Sequence, residues 1–141
     1  VWTAGSSPSI PPISPTPVLE RGRLAVDDDL RLVGSANTFA LGDLSARPGS
    51  PWPASAQVAM QQGDATAAAI ATLRMEQEPQ PFEFEDRGEM LSLGVGDATL
   101  TGMGLTLAGP LAFQLRRATY LTRLPGLSLG LRSAGAWLLN R

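Results

Sequence analysis

The longest periodic stretch of the chain runs from Ala54 to about Gln77, where Val58, Ala59, Gln62, Ala65, Ala69, Ile70 and Leu73 recur at helical spacing. That spacing predicts a helix, started by Ser55 as N-cap for the amides of Gln57 and Val58 and stopped by Pro79 and Pro81. Ahead of it the runs are short. Arg23–Val26 and Leu30–Val33 predict two strands paired as a hairpin about the acidic turn Asp27–Asp29, and Thr38–Leu41 predicts a buried strand ending at Gly42-Asp43. Leu44–Pro53 holds three prolines and predicts a loop. After the helix, "FEFED" (Phe82–Asp86) and "EMLSLGV" (Glu89–Val95) predict strands around Arg87-Gly88. Two further helices are expected at about Leu107–Leu124 and Ser128–Asn140, parted by Pro125-Gly126. At the start, "VWTAG" (Val1–Gly5) reads as a strand end. The Pro/Ser-rich 6–17 stretch reads as an extended connection, because each proline fixes φ and removes a donor.

Composition narrows the chemistry. With 141 residues and 43% hydrophobic content the chain is one domain's worth and can form a core. It has no cysteine and no histidine, which excludes disulfides, Cys/His metal sites and thiol or imidazole catalysis from this segment. All eleven basic residues are arginine. Charge is strongly partitioned: residues 1–97 carry thirteen acids against six arginines, a net −7, while 98–141 carry five arginines and no acid. A basic, leucine-rich end predicts contact with anionic lipid or another acidic partner, although solvated arginines on a helical pair give the same pattern. Ala98–Leu115 is uncharged but is interrupted by threonines, glycines and Pro110, so it is read as too polar and too broken to span a bilayer. The opening stretch "VWTAG" does not itself carry the charged n-region of a signal peptide. The acidic turn lacks the spaced oxygens, central glycine and closing glutamate of an EF-hand, and no metal site is expected.

A strand, then Gly42-Asp43, then a loop and a long helix is the arrangement by which open α/β sheets bind ligands. The ligand lies beyond the strand's carboxyl end, with the helix N-terminus aimed at it. Gly42 gives backbone clearance, and the Asp43 carboxylate can accept hydrogen bonds from sugar or polyol hydroxyls. Gln57 and Gln61, four apart, share one helix face and can bond carbonyl groups without bringing charge into an apolar site. The same residues also suit a solvated strand end and the polar side of an amphipathic helix.

Taken in order, "VWTAG", "GRLAVDDDLRL", "NTFALGD" and "AQVAMQQG" resemble the C-terminal portion of type II NAD(P)H:quinone oxidoreductases. The A-Q-x-A-x-Q pattern, Ala56 to Gln61, is the most specific piece. The tail "GLTLAGPLAFQLRRATYLTRLP" looks most like the cyanobacterial and plastid branch, associated with demethylphylloquinone and plastoquinone reduction. The resemblance implies an α/β fold: part of a Rossmann-like FAD-binding domain of a two-dinucleotide-domain flavoprotein, with a C-terminal amphipathic helical, membrane-associating region. It implies a crossover from an NAD(P)H domain in residues 1–22, the FAD/quinone domain in 23–97 and the membrane region in 98–141. FAD would be the cofactor and NAD(P)H the cosubstrate. Gly42, Asp43, Ala56, Gln57 and Val58 would hold FAD. Gln57 and Gln61 would face the quinone, and Arg116, Arg117, Arg123 and Arg132 would meet headgroups. The segment would supply no catalytic acid or base, and no nucleic acid is implied. The enzyme would sit on the cytoplasmic face of a thylakoid or plasma membrane, and a homodimer is compatible with this.

The resemblance also marks a departure. Neither G-x-G-x-x-G fingerprint of such flavoproteins occurs here, and "GVGDAT" at Gly94 lacks the third glycine. The chain therefore reads as the C-terminal part of a longer enzyme that alone would hold FAD poorly. Two alternatives remain: a related flavoprotein with another acceptor, of the sulfide:quinone or ferredoxin reductase kind, and a non-enzymatic membrane or interaction remnant. Sulfide oxidation needs redox cysteines, and this segment has none.

Overall fold

The computed structural model describes residues 7–139, so the strand end expected at Val1–Gly5 and the expected helix end at Asn140 lie outside the described residues. The chain divides into two units, Val1–Asp86 and Arg87–Arg141.

In the first unit β1 (Leu19–Glu20) and β2 (Arg23–Ala25) pair antiparallel about Arg21-Gly22. Both turn residues have positive φ, 50° and 78°, the requirement of a two-residue turn whose twist matches its strands. β3 (Ser45–Ala46) then joins β2 in parallel, with Leu24 opposite Ser45 and Ala25 opposite Ala46. This strand falls in the stretch expected to be a loop. The expected hairpin and buried strand shrink to isolated antiparallel rungs, Val26 with Leu32 and Arg31 with Phe39. The reason is local: Leu30 (φ 70°) and Gly34 (φ 83°) turn the backbone left-handed, so the extended run between them is short. Their strand-like segments still exchange bonds, Leu32 N–H to Thr38 O at 2.8 Å and Ala40 N–H to Leu30 O at 3.2 Å.

Helix α1 (Ala56–Arg74) starts at Ser55, whose Oγ accepts the Val58 N–H at 3.2 Å. It stops short of the expected Gln77 because Glu76 adopts a left-handed φ of 58°. "FEFED" is not a strand. Phe82 is buried in the core and its N–H bonds Asp28 O at 2.7 Å, so the segment is held as a strap rather than a ladder. The core comprises Leu24, Val26, Leu30, Leu32, Ala40 and Phe82, with Trp52 edge-on to Phe82 at 5.3 Å. Arg47 covers the Trp52 ring at 4.8 Å and pairs with Asp28 at 3.3 Å.

The acidic turn is structural. Arg31 N–H donates to Asp27 Oδ1 at 2.9 Å and to Asp29 Oδ1 at 3.3 Å, while its guanidinium pairs with Asp29 at 2.6 Å and Glu78 at 3.2 Å. Burial, a hydrogen bond to Asp29 and that residue's charge push Asp27 up from 3.8 to about 6. Burial also penalises the Asp29 carboxylate, but its bonds from Asp27 and Arg31 hold it below the usual range.

In the second unit β4 (Glu89–Gly94), β5 (Asp97–Gly102) and β6 (Leu105–Ala108) form an antiparallel meander. Its turns are Val95-Gly96 and Met103-Gly104, so the hairpin expected about Arg87-Gly88 is not formed. Gly88 instead lies against β5 so closely that a Cβ would stand 2.2 Å from Thr101 O. The boundary expected between 97 and 98 falls inside this sheet. β6 occupies the start of the first expected C-terminal helix, because Gly109 (φ 87°) and Pro110 at the first helical position delay α2 to Pro110–Thr122. α2 packs on β5 and β6, and α3 (Leu127–Leu139) packs on α2. Among the described residues no helix is long and apolar enough to cross a membrane. Arg117 lies over both Phe113 (5.5 Å) and Trp137 (4.2 Å), tying α2 to α3.

Two predictions follow from these contacts. Between pH 3.8 and about 6 the folded state holds a proton on Asp27 that the unfolded chain has released. That contribution is complete below pH 3.8 and is lost as pH rises through about 6. Asp29, shifted the other way, contributes above its unfolded value and loses it as pH falls. Asp27→Asn keeps an acceptor for Arg31 and a permanent donor toward Asp29. It should stabilise the fold by about 1 kcal/mol above the raised value, after solvent screening, and by progressively less toward the unfolded one, as read by urea denaturation across pH. Arg117→Ala should cost the helical pair about 1–2 kcal/mol in the same assay, with Arg117→Lys recovering only part.

Candidate functional site

Residues Gly42–Leu44 form a single 3₁₀ turn between the Phe39 rung and β3. Gly42 has a φ of 65°, and a Cβ added there would meet the Ala59 methyl at 3.4 Å. The turn thus packs against the start of α1, and its backbone angle is one that glycine adopts without strain. Its N–H donates to Gln62 Oε1 at 2.7 Å, and its carbonyl accepts from the Ser45 N–H and, at 3.2 Å, from Ser45 Oγ. Gln62 is 1% exposed.

The sequence-predicted residues fall around this junction. Asp43 is exposed at the apex of the turn. Ala56 is exposed at the start of α1 and Gln57 half-buried, while the Val58 side chain is 3% exposed and belongs to the core, so only its backbone side is open to a ligand question. The first amides of a helix point out of its N-terminal end, and Ser55 takes the one from Val58. Gln61 is half-buried with its side chain engaged: its amide nitrogen donates to Glu85 O at 2.9 Å and its oxygen accepts the Glu85 N–H at 3.0 Å. Gln57 Oε1 lies 3.5 Å from the same nitrogen. The structure therefore brings Gly42 and Asp43 onto α1 and links the two glutamines, and it directs Gln61 to the backbone of the "FEFED" strap.

Gln62 belongs in sequence to the helical stripe of Val58, Ala65 and Ala69, and its amide among apolar positions is the signal that sets it apart.

The four tail arginines take two dispositions. Arg116 (4.7 Å) and Arg123 (6.0 Å) lie over the Tyr120 ring, and Arg117 is held by Phe113 and Trp137. Arg123 and Arg132 are exposed, whereas Arg116 and Arg117 are half-buried. Among the described residues no three His, Cys, Asp or Glu side chains gather as metal ligands.

An exposed carboxylate beside a side-chain-free Cα fits a polyol chain, which needs an accessible acceptor and close backbone approach. A helix N-terminus on the same body fits a ring that gathers negative charge.

No family model matches the chain. Three relatives show what it is similar to. It is 37% identical over 136 residues to an alternative NAD(P)H-ubiquinone oxidoreductase C1, chloroplastic/mitochondrial, of Arabidopsis thaliana, covering 89% of this chain and 26% of that one. To demethylphylloquinone reductase NdbB of Synechocystis sp. it is 36% identical over 153 aligned positions, 99% of this chain and 38% of the other. A type II NADH:quinone oxidoreductase of Staphylococcus epidermidis is 35% identical over 121 residues, 83% and 30% respectively. The chain thus spans about a quarter to two-fifths of the length of these relatives. Over most of its own length it is a homologue of one portion of the type II NAD(P)H:quinone oxidoreductases.

Proposed function

We propose that the protein carrying this chain is an FAD-dependent NAD(P)H:quinone oxidoreductase, and that this segment supplies the flavin's ribityl contact and one wall of its ring site. The observation that carries the proposal is the Gly42–Leu44 turn locked onto the start of α1, in a chain similar to named quinone oxidoreductases. When bound, FAD would accept a hydride from NAD(P)H and deliver electrons to the quinone. The chain's own residues bind and orient. Asp43 accepts hydrogen bonds from the ribityl hydroxyls. Gly42 lets the backbone approach. The start of α1, at Ala56, Gln57 and Val58, presents its positive end to the pyrimidine edge. Gln57 and Gln61 stand on the quinone side, with Gln61 acting through its bonds to Glu85 rather than as an unattached donor.

This reading places the segment in a Rossmann-like FAD domain, with residues 1–22 as the crossover from the nicotinamide domain. It makes the 87–141 unit the membrane-facing part. There, exposed Leu111, Leu115, Leu127 and Leu131 supply apolar area, and Arg123 and Arg132 are the cations open to headgroups. Arg117 serves first to hold α3 against α2, while Arg116 lies on the Tyr120 ring of its own helix. The quinone is of the demethylphylloquinone or plastoquinone class, and the enzyme is peripheral on the cytoplasmic face.

In the full-length protein, Asp43→Ala should purify with little flavin absorbance and lose NAD(P)H:quinone activity; normal flavin content would remove Asp43 from the site. The pair Arg123→Glu and Arg132→Glu should weaken binding to vesicles containing anionic lipid by about tenfold or more, with no effect on flavin content. Unchanged vesicle binding would count against the tail as the anchoring surface.

A further inference from the structure

We propose that Gln62 is the positioning residue of this site, clamping the Gly42–Leu44 turn so that the Asp43 carboxylate and the start of α1 address one ligand as a rigid pair. The inference rests on the flavin reading above and adds a residue that the A-Q-x-A-x-Q pattern does not contain.

Four observations converge on it. The buried stripe of α1 is Val58, Gln62, Thr66 and Ala69, so Gln62 stands where an apolar side chain would ordinarily pack. A buried amide is tolerated only where it is bonded, and this one accepts the Gly42 N–H at 2.7 Å. That N–H opens the 3₁₀ turn, where no earlier carbonyl of the turn can take it. Leu41, at the N-cap position, has no side-chain oxygen to offer, so the cap comes from 20 residues further along the chain. Finally, the Gly42 carbonyl is held by Ser45, so both backbone polar groups of that residue are engaged, and the Asp43 carboxylate is exposed.

Ala59 belongs to the same device. Its methyl is the surface on which Gly42 rests, and a larger residue there would lift the turn beyond the reach of the Gln62 amide. The second alanine of the A-Q-x-A-x-Q pattern thereby gains a physical reason. Gln62 touches no ligand in this scheme. It acts by fixing the distance between the carboxylate that would hold the ribityl chain and the helix end that would face the ring.

The test uses the full-length flavoprotein with four variants: Gln62→Leu, Gln62→Met, Gln62→Glu and Asp43→Ala. Gln62→Leu removes the partner of the part-buried Gly42 N–H. It should weaken FAD binding about tenfold and shift both the flavin reduction potential and its visible circular dichroism. Gln62→Glu retains an oxygen at the same reach and should restore most of all three. If Asp43→Ala loses flavin while Gln62→Leu keeps wild-type affinity and potential, the positioning role is overturned and the site reading stands. If both variants keep wild-type flavin binding, the site reading itself fails, and this inference with it. Should Gln62→Leu not fold, Gln62→Met takes its place, and hydrogen exchange on the wild-type peptide spanning 39–45 gives a measurement that needs no variant. Slow exchange at Gly42 supports the clamp, and exchange as fast as an open loop overturns it.

Discussion

The approach of Gly42 to α1 is the constraint on which the first unit depends. A glycine with φ of 65° rests on the Ala59 methyl, and its N–H is taken by the buried Gln62 amide. The segment just before the turn is joined to its neighbours by single rungs, too few to fix where the chain goes next. The segment after it enters β3 at once, in parallel with β2. Anchoring the turn to a long helix therefore sets the register of β3 against β2 and the exit direction of the Asp43 carboxylate. Structure and candidate chemistry share one fastening.

A second fastening works at the far end of α1. Arg31 gathers Asp27 and Asp29 from the acidic turn and Glu78 from the chain that leaves the helix, and Phe82 closes the strap through Asp28 O. Three consecutive aspartates concentrate negative charge in one turn and need a cation beside them. Here the cation is an arginine of the same chain. Crowding two carboxyls beside one guanidinium shows in their titration: Asp27 is pushed up to about 6 by burial and by Asp29, while bonds from Asp27 and Arg31 hold Asp29 below the usual range. The charge of this segment serves the turn.

What the sequence made legible follows from how local each signal is. α1 could be read because its period, its Ser55 cap and its apolar stripe all lie within one continuous segment. The meander β4–β6 was misplaced because its turns depend on backbone angles that residue types disclose poorly. Met103 adopts φ of 51° beside Gly104, and nothing about a methionine announces a turn. β3 was missed because two residues, Ser45 and Ala46, carry no period at all and exist as a strand only through β2. Asp43 and the glutamines are candidates by motif. Gln62 was seen and counted as helix face, since the partner that gives it meaning, the Gly42 N–H, lies 20 residues away.

The exclusive use of arginine acquires a structural consequence in the second unit. A guanidinium is a flat, weakly hydrated cation that can stack on a ring and still expose donors at its edge, whereas an ammonium is a hydrated point charge. Arg117 lies over rings on two helices at once, Phe113 of α2 and Trp137 of α3, and Arg116 and Arg123 share Tyr120. Lysines at these positions would leave the aromatic faces to pack against one another or against solvent, and the positive charge would extend away from the helices. With arginine the charge is held flat on the helix surface, and the leucines beside it stay exposed. A basic surface built this way couples part of its electrostatics to its fold: Arg117, one source of the unit's positive charge, is also the residue that holds α3 against α2, so at that position neither property can be changed alone.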